Sequence, residues 1–290
     1  MMTGPAEARY LASRLALTET ELLHQSDRYL VLRCTRNSTE DVVFKACLGS
    51  WKAEHRDGFR REVMLSRHLR ERRFPTLEVL DDSGMEQDQH LWMLTRYLNA
   101  PPWSPEHGMP VAQHALSAVL NLDPGDRPDS RYFRWDIGGF AWYAHRCCHS
   151  LEGLGDRVCQ MMRHRVWDLL GACGALLDGS CRFLAHGDFS ANQILVTDGY
   201  PTVFDWEHAN QNNCALDAGH LYVNLYVDAP DKAEEWHSVA KAAAPGGEPF
   251  DDLWHPAVVE RALGKMNAAK EDNHIIGSLT TLLKHVTELA

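Results

Sequence analysis

The chain has 290 residues, 44% of them hydrophobic, and carries 29 Lys plus Arg against 40 Asp plus Glu for a formal charge of −11. That length exceeds what one ordinary core holds, and the apolar fraction supports ample burial, so a soluble globular chain of two lobes around one cleft is expected. No stretch reaches the roughly eighteen uninterrupted apolar residues of a membrane span, and the acidic balance disfavours a nucleic-acid partner.

The opening MMTGPAEARYLASRLALTET carries acids and lacks the basic start and apolar core of an export signal, so a cytoplasmic protein is expected. His24 to Arg28 is a glycine-free polar turn, in which Asp27 is the candidate for a local backbone bond. Leu30, Val31 and Leu32 begin a strand, Arg36 to Glu40 turn it, and Asp41-Val42-Val43-Phe44-Lys45-Ala46 returns as the next. In FRREVMLSRHL, Phe59, Val63, Met64, Leu65 and Leu69 fall at helical spacing, with Glu62 seventeen residues after Lys45 and Glu54 as a competing acid. Leu91 to Leu94 read as the last strand of the first lobe, Thr95-Arg96-Tyr97-Leu98 as a connector, and Pro101-Pro102 as a break. The N-lobe is therefore set at residues 1–97 and the C-lobe at 98–290.

In the second part, Arg157 to Leu177 places Met162, Val166, Leu169, Leu170 and Leu176, with Val158 and Met161, on one apolar stripe of a long helix. Phe183-Leu184-Ala185 leads into HGDFSANQILV (His186 to Val196), Asp198-Gly199 turns the chain, and the strand through Thr202 to Phe204 ends in VFDWE with Asp205. Asp188 and Asp205 are thus expected near each other. Asp217 begins a further helix, where capping is favoured over bracing the HGD loop. Lys232–Ala243, Pro256–Ala268 and Ile275–Leu289 are amphipathic. The eight cysteines form no Cys-x-x-Cys pair and read as reduced core thiols. Residues 1–97 hold 15 Lys plus Arg and 15 Asp plus Glu, so the whole net charge falls in 98–290, which would attract cationic acceptors.

Two carboxylates and a carboxamide in this order suit one chemistry. Moving a γ-phosphoryl group to a hydroxyl needs one carboxylate to orient the hydroxyl and take its proton, and hard oxygen ligands for the ion that bridges the phosphates. Asp188 suits the first role and Asp205 the second, since magnesium is commonly held by one or two protein carboxylates.

HGDFSANQILV with VFDWE resembles the aminoglycoside phosphotransferase and choline kinase group, the small-molecule branch of the protein-kinase-like fold. The resemblance rests on roughly twenty residues and covers the catalytic core rather than the acceptor region. It implies an α+β bilobal fold, with an antiparallel sheet and one main helix in a small N-lobe and a larger, mostly helical C-lobe. It also implies ATP or GTP with Mg2+ and a small hydroxylated acceptor such as an aminoglycoside, amino sugar, sugar or related alcohol. Lys45 stands where the family has its nucleotide lysine, braced by Glu62, while Ser26 would reach a phosphate and the backbone near Arg96 and Tyr97 the base of the nucleotide. The family's metal-binding Asn is replaced by Gln193, as in maltokinase-like relatives, with Asn192 the alternative ligand. That change and the glycine-free phosphate loop leave a second reading open, a nucleotide-binding pseudokinase that serves as a partner-binding module.

Overall fold

The computed structural model describes residues 4–48, 53–84, 91–123, 125, 127, 128, 131, 135–154 and 156–288, with backbone alone at 53, 54 and 156–161. The side chains of Glu54, Val158, Cys159 and Met161 therefore lie outside the described residues. The chain divides into two units, one of Met1–Pro101, Arg127–Arg134 and Thr202–His208, the other of Pro102–Asp126, Trp135–Pro201 and Ala209–Ala290.

In the first unit a helix, α1 (Pro5–Arg14), precedes strands β1 (Leu17–Gln25), β2 (Tyr29–Arg36) and β3 (Glu40–Cys47); α2 (Ala53–Glu71) then leads to β4 (Val79–Asp82) and β5 (Trp92–Arg96). The strands pair antiparallel in the order β1-β2-β3-β5-β4. Alternation along β3 sorts its side chains by face. Val42, Phe44 and Ala46 are fully buried with Leu30, Leu32, Leu94 and Ala8 of α1. Lys45 must therefore point to the other face, where Tyr29, Phe59, Val63 and Met93 pack together with residues of α2. It is no edge-strand surface lysine, because β3 is the middle strand and Lys45 is 8% exposed. β5 runs two residues beyond the expected strand, since Thr95 and Arg96 still pair with Val43 and Val42, so the connector starts at Tyr97.

The second unit holds α3 (Met109–Leu120), α4 (Phe140–Gly153) and α5 (Asp156–Gly179), then short strands β6 (Phe183–Ala185), β7 (Ile194–Thr197), β8 (Tyr200–Val203) and β9 (Asn210–Asn212). β8 carries the chain out of this unit after Pro201. The helices α6 (Leu216–Asp228), α7 (Pro230–Ala243), α8 (Phe250–Ala268) and α9 (Asn273–Glu288) complete it. Asp198 and Gly199 both take positive φ, 50° and 80°, the conformation of a tight two-residue turn between β7 and β8. α8 begins six residues before the expected start at Pro256, which lies inside it. A proline there leaves the carbonyl of Asp252 without its helical donor, and the Cys173 thiol approaches that oxygen at 3.8 Å. Among the described residues no helix is long and apolar enough to cross a membrane, and the described cysteines are free thiols.

Two polar clusters lock the second unit's elements together. Asn210, Asn212 and Asn213 are buried, and the Tyr143 hydroxyl donates to Asn212 at 3.2 Å while accepting from Asn213 at 2.9 Å. A Cβ on Gly138 would meet the Asn212 amide at 1.7 Å, so only glycine admits that side chain. Gly138→Ala is expected to lower stability by about 1–3 kcal/mol through overpacking, read from a denaturant midpoint. The second cluster is centred on Glu260 of α8, which accepts from Arg146 Nε of α4 at 2.7 Å and lies 3.0 Å from His220 Nε2 of α6. Burial alone would raise the Glu260 carboxyl, but the hydrogen bond from His220 and the charge of Arg146 outweigh it and hold it at about 2. A carboxyl depressed on folding contributes stability that is complete above its ordinary value of 4.5 and lost as pH falls toward 2. Glu260→Gln should therefore cost about 3 kcal/mol at neutral pH, and its melting deficit against wild type should shrink as the melts are repeated below pH 4.5.

Candidate active site

Lys45 is the centre of the first unit's polar cluster. Its Nζ donates to Glu62 Oε2 of α2 and to Asp205 Oδ1, each at 2.7 Å, and lies 3.9 Å from Glu207 Oε2. The Tyr29 ring faces the ammonium at 4.5 Å. The segment that delivers the two acids is anchored within the same unit. The Val203 amide donates to the Pro75 carbonyl at 2.8 Å, and the fully buried Trp206 meets Phe74 edge-on and donates to Thr76 at 3.1 Å. Glu207 is fixed in turn by the Tyr29 hydroxyl at 2.5 Å and His208 at 3.1 Å, and its carbonyl accepts from Arg61 at 3.0 Å. Gly58 lets α2 approach, since a Cβ there would sit 3.3 Å from the Glu207 carbonyl.

The electrostatics of this cluster are those of a site short of positive charge. Burial works against the Lys45 ammonium, but Asp205, Glu62 and Glu207 outweigh it and hold its titration well above the ordinary lysine value. The Glu62 carboxyl is pushed up to about 8 by burial and by Asp205 and Glu207, against the pull of Lys45. Glu207 goes the other way: burial is overcome by bonds from His208 and Tyr29 and by the charge of Lys45, which hold it far below the usual carboxylate range. One oxygen from each of Glu62, Asp205 and Glu207 falls within a 4.8 Å set, and hard carboxylate oxygens so gathered suit a divalent cation. Asp205 takes φ 69°, a left-handed conformation uncommon for a non-glycine residue and often retained where function demands it.

The remaining expected nucleotide residues are distributed along this unit. Ser26, not Asp27, makes the local turn bonds: its hydroxyl oxygen accepts from the amides of Arg28 at 3.2 Å and Tyr29 at 3.0 Å. The Ser26 amide donates to Tyr29 O, which leaves the hydroxyl as its remaining donor. The amides of Arg96 and Tyr97 already donate to Glu78 O and Asp41 O.

The second unit carries the loop with Asp188. Gly187 adopts φ 82°, and the buried Asp217 carboxylate accepts the amides of His186 at 2.7 Å and Gly187 at 2.9 Å. Asp217 thus braces this loop and makes no cap bond to α6, the reverse of the expected preference. His186 is fully buried, and its Nδ1 accepts the Asp188 amide at 3.3 Å, a structural role. Arg261 Nη1 of α8 lies 2.7 Å from Asp188 Oδ1. Gln193 closes a short 3₁₀ turn, with its amide oxygen accepting from the Ser190 hydroxyl, and Asn192 beside it is exposed.

Several members of these clusters had no role assigned from sequence. Glu207 stands in VFDWE two residues after Asp205, and that spacing was the available signal. Tyr29 and Arg261 give none, because an aromatic opening a strand and an arginine on an apolar-striped helix look ordinary until the chain folds.

Residues 22–253 match the family model described as Phosphotransferase enzyme family, APH. No curated protein matches the chain. Its fold is similar to that of a thermostable mutant of the aminoglycoside phosphotransferase APH(4)-Ia in ternary complex with ADP and hygromycin B, at 12% identity over 98% of each chain and a TM-score of 0.73. It is also similar to the amicoumacin kinase hAmiN in complex with AMP-PNP, Ca2+ and Ami, at 11% identity over 99% of this chain and 94% of that one, TM-score 0.67. The choline kinase LicA from Streptococcus pneumoniae gives 10% identity over 98% of each chain and a TM-score of 0.67. At these identities the likeness is one of fold, and it agrees with the expected α+β, protein-kinase-like class.

Proposed function

We propose, since the chain belongs to the phosphotransferase enzyme family and is a small-molecule kinase, that it transfers the γ-phosphoryl group of ATP or GTP to a hydroxyl of a small acceptor such as an aminoglycoside, amino sugar, sugar or related alcohol. The observation that carries this reading is Lys45, bonded at 2.7 Å to both Glu62 and Asp205 on the inner face of a central strand. Such a lysine is a fixed point charge for nucleotide phosphates, and Glu62 holds its ammonium in place. Asp188 orients the acceptor hydroxyl and takes its proton as the new P–O bond forms, while the leaving nucleoside diphosphate departs from the other side of phosphorus.

A divalent cation is in keeping with the donors present. Asp205, one of the three gathered carboxylates, would hold Mg2+, and Gln193, or Asn192 in its place, would offer that ion an amide oxygen. When bound, it would supply positive charge to offset that of the phosphate oxygens during transfer. Ser26 would give a hydroxyl proton to a phosphate, and the carbonyls of Arg96 and Tyr97 would accept from the amino group of the base. ATP is the better supported donor, because structures of similar fold hold ADP or AMP-PNP. The acidic balance of residues 98–290 favours acceptors with positive charge, without nucleic acid or membrane as partner.

The test is nucleotide consumption across hygromycin B, neutral sugars, choline and nucleosides, each with ATP and with GTP. Acceptor-dependent release of the diphosphate with one class supports the reading. Tight nucleotide binding with no release for any acceptor would favour the pseudokinase instead.

A further inference from the structure

The carboxylate assigned as base is itself held. Arg261 Nη1 approaches Asp188 Oδ1 to 2.7 Å, with the two side chains 22% and 26% exposed. That oxygen is buried and takes no well-aligned hydrogen bond, so the contact is one of charge made away from water, and the solvent exposure falls on the rest of the carboxylate. Backbone contacts fix the loop but not this group. Asp217 holds the amides of His186 and Gly187, and His186 holds the amide of Asp188, yet rotation about the Asp188 side-chain bonds is left open.

Arg261 comes from a helix tied to two of its neighbours. Its neighbour Glu260 is clamped by Arg146 of α4 and His220 of α6. Lys265, one turn further along α8, turns instead to Asn224 at 2.7 Å and lies 3.9 Å from Asp228. A guanidinium suits such a post: it stays protonated, and its planar fork loses less freedom than an ammonium stem when it binds a carboxylate.

We propose that Arg261 is a positioning residue for the base: it draws Oδ1 of Asp188 inward, so that Oδ2 presents its lone pairs to the acceptor hydroxyl. The inference rests on the assignment of Asp188 made above. Without Arg261 the carboxylate samples several rotamers, and transfer slows although nucleotide binding does not.

Full-length wild type, Arg261→Ala, Arg261→Lys and Asp188→Asn proteins are compared for diphosphate release from magnesium ATP and magnesium GTP, with water, hygromycin B, neutral sugars, choline or nucleosides as acceptor, with and without millimolar guanidinium chloride. Arg261→Ala is expected to lose about 10²-fold in kcat, the scale of a misplaced catalytic group, at an unchanged KM for ATP. Added guanidinium should restore part of the loss, Arg261→Lys should be intermediate, and Asp188→Asn should gain nothing from guanidinium. An Arg261→Ala rate equal to wild type, or a loss in the folded variant that guanidinium leaves untouched, overturns the proposal while leaving Asp188 as base. If Arg261→Ala does not fold, Arg261→Lys decides, because an unchanged kcat overturns the proposal and a lower kcat at constant KM supports it. A wild type that releases no diphosphate with any of these acceptors, whether given ATP or GTP, overturns the kinase assignment of Asp188 and this inference with it.

Discussion

Asp188→Asn is expected to abolish turnover, by at least about 10²–10⁴-fold, the usual contribution of a general base, while nucleotide affinity stays near wild type. Asparagine keeps the size and one acceptor oxygen of aspartate, so the loop conformation survives: the amides of His186 and Gly187 still bond Asp217, and the Asp188 amide still bonds His186. What disappears is the ability to accept a proton and the charge facing Arg261. Both side chains keep part of their surface in water, 22% and 26%, so losing this contact costs only about 1 kcal/mol of stability, and a melting curve should show a folded variant. Lys45, Glu62 and Asp205 belong to the other unit and keep their mutual contacts, so titration with a fluorescent ATP analogue should return the wild-type Kd. The decisive quantity is diphosphate release under saturating nucleotide. A variant within about threefold of wild type would show that this carboxylate contributes less than a kcal/mol to the transition state, and the base assignment would fall.

What could be read from the chain alone follows a physical division. Element type is written locally: the alternation of Val42, Phe44 and Ala46 against Lys45 fixed the face that the lysine occupies, and Asp198-Gly199 can reach positive φ at low cost. The Lys45–Glu62 pair was legible because a period-2 strand and a period-3.6 helix both aim a polar residue where an apolar one belongs. Partner choice across the fold was not. Tyr29 bonds Glu207 at a separation of 178 residues, and Asp217 reaches the His186 amide at a separation of 31, distances at which pattern carries no information. Asp217 looked like a cap because a carboxylate in a first helical turn usually is one; a pair of buried loop amides, each costly to leave unbonded, claimed it instead. Pro256 looked like a helix start for an equally good local reason, and the helix continued through it because burial of Leu253, Trp254, Ala257 and Val258 outweighs one missing bond, with the Cys173 thiol beside the freed carbonyl. Ser26 displaced Asp27 at the first turn because its hydroxyl lies within reach of two amides at once.

Asp205→Asn should separate the two tasks this residue could perform, counter-ion to Lys45 and ligand to a divalent cation. Without ligands, the variant is expected to melt close to wild type. Its amide oxygen can still accept from Lys45 in the 2.7 Å geometry, and asparagine is among the residues that best tolerate the φ of 69° found there. The charge it removes is one of those that push the Glu62 carboxyl up, so Glu62 ionises more readily and the neutralisation of Lys45 is maintained. With magnesium and ATP the outcome should diverge. A ligand present at 100 times its Kd stabilises the folded state by about 2.7 kcal/mol, and a 100-fold weaker complex loses nearly all of that. Thermal shifts should therefore be taken with nucleotide alone and with nucleotide plus metal, and the difference between them compared across the two proteins. Wild type should gain a clear increment from the metal, and Asp205→Asn little or none. An undiminished metal increment in the variant would leave Asp205 as a counter-ion only and move the search for the ligand to Glu62 and Glu207, the other two carboxylates of the same cluster.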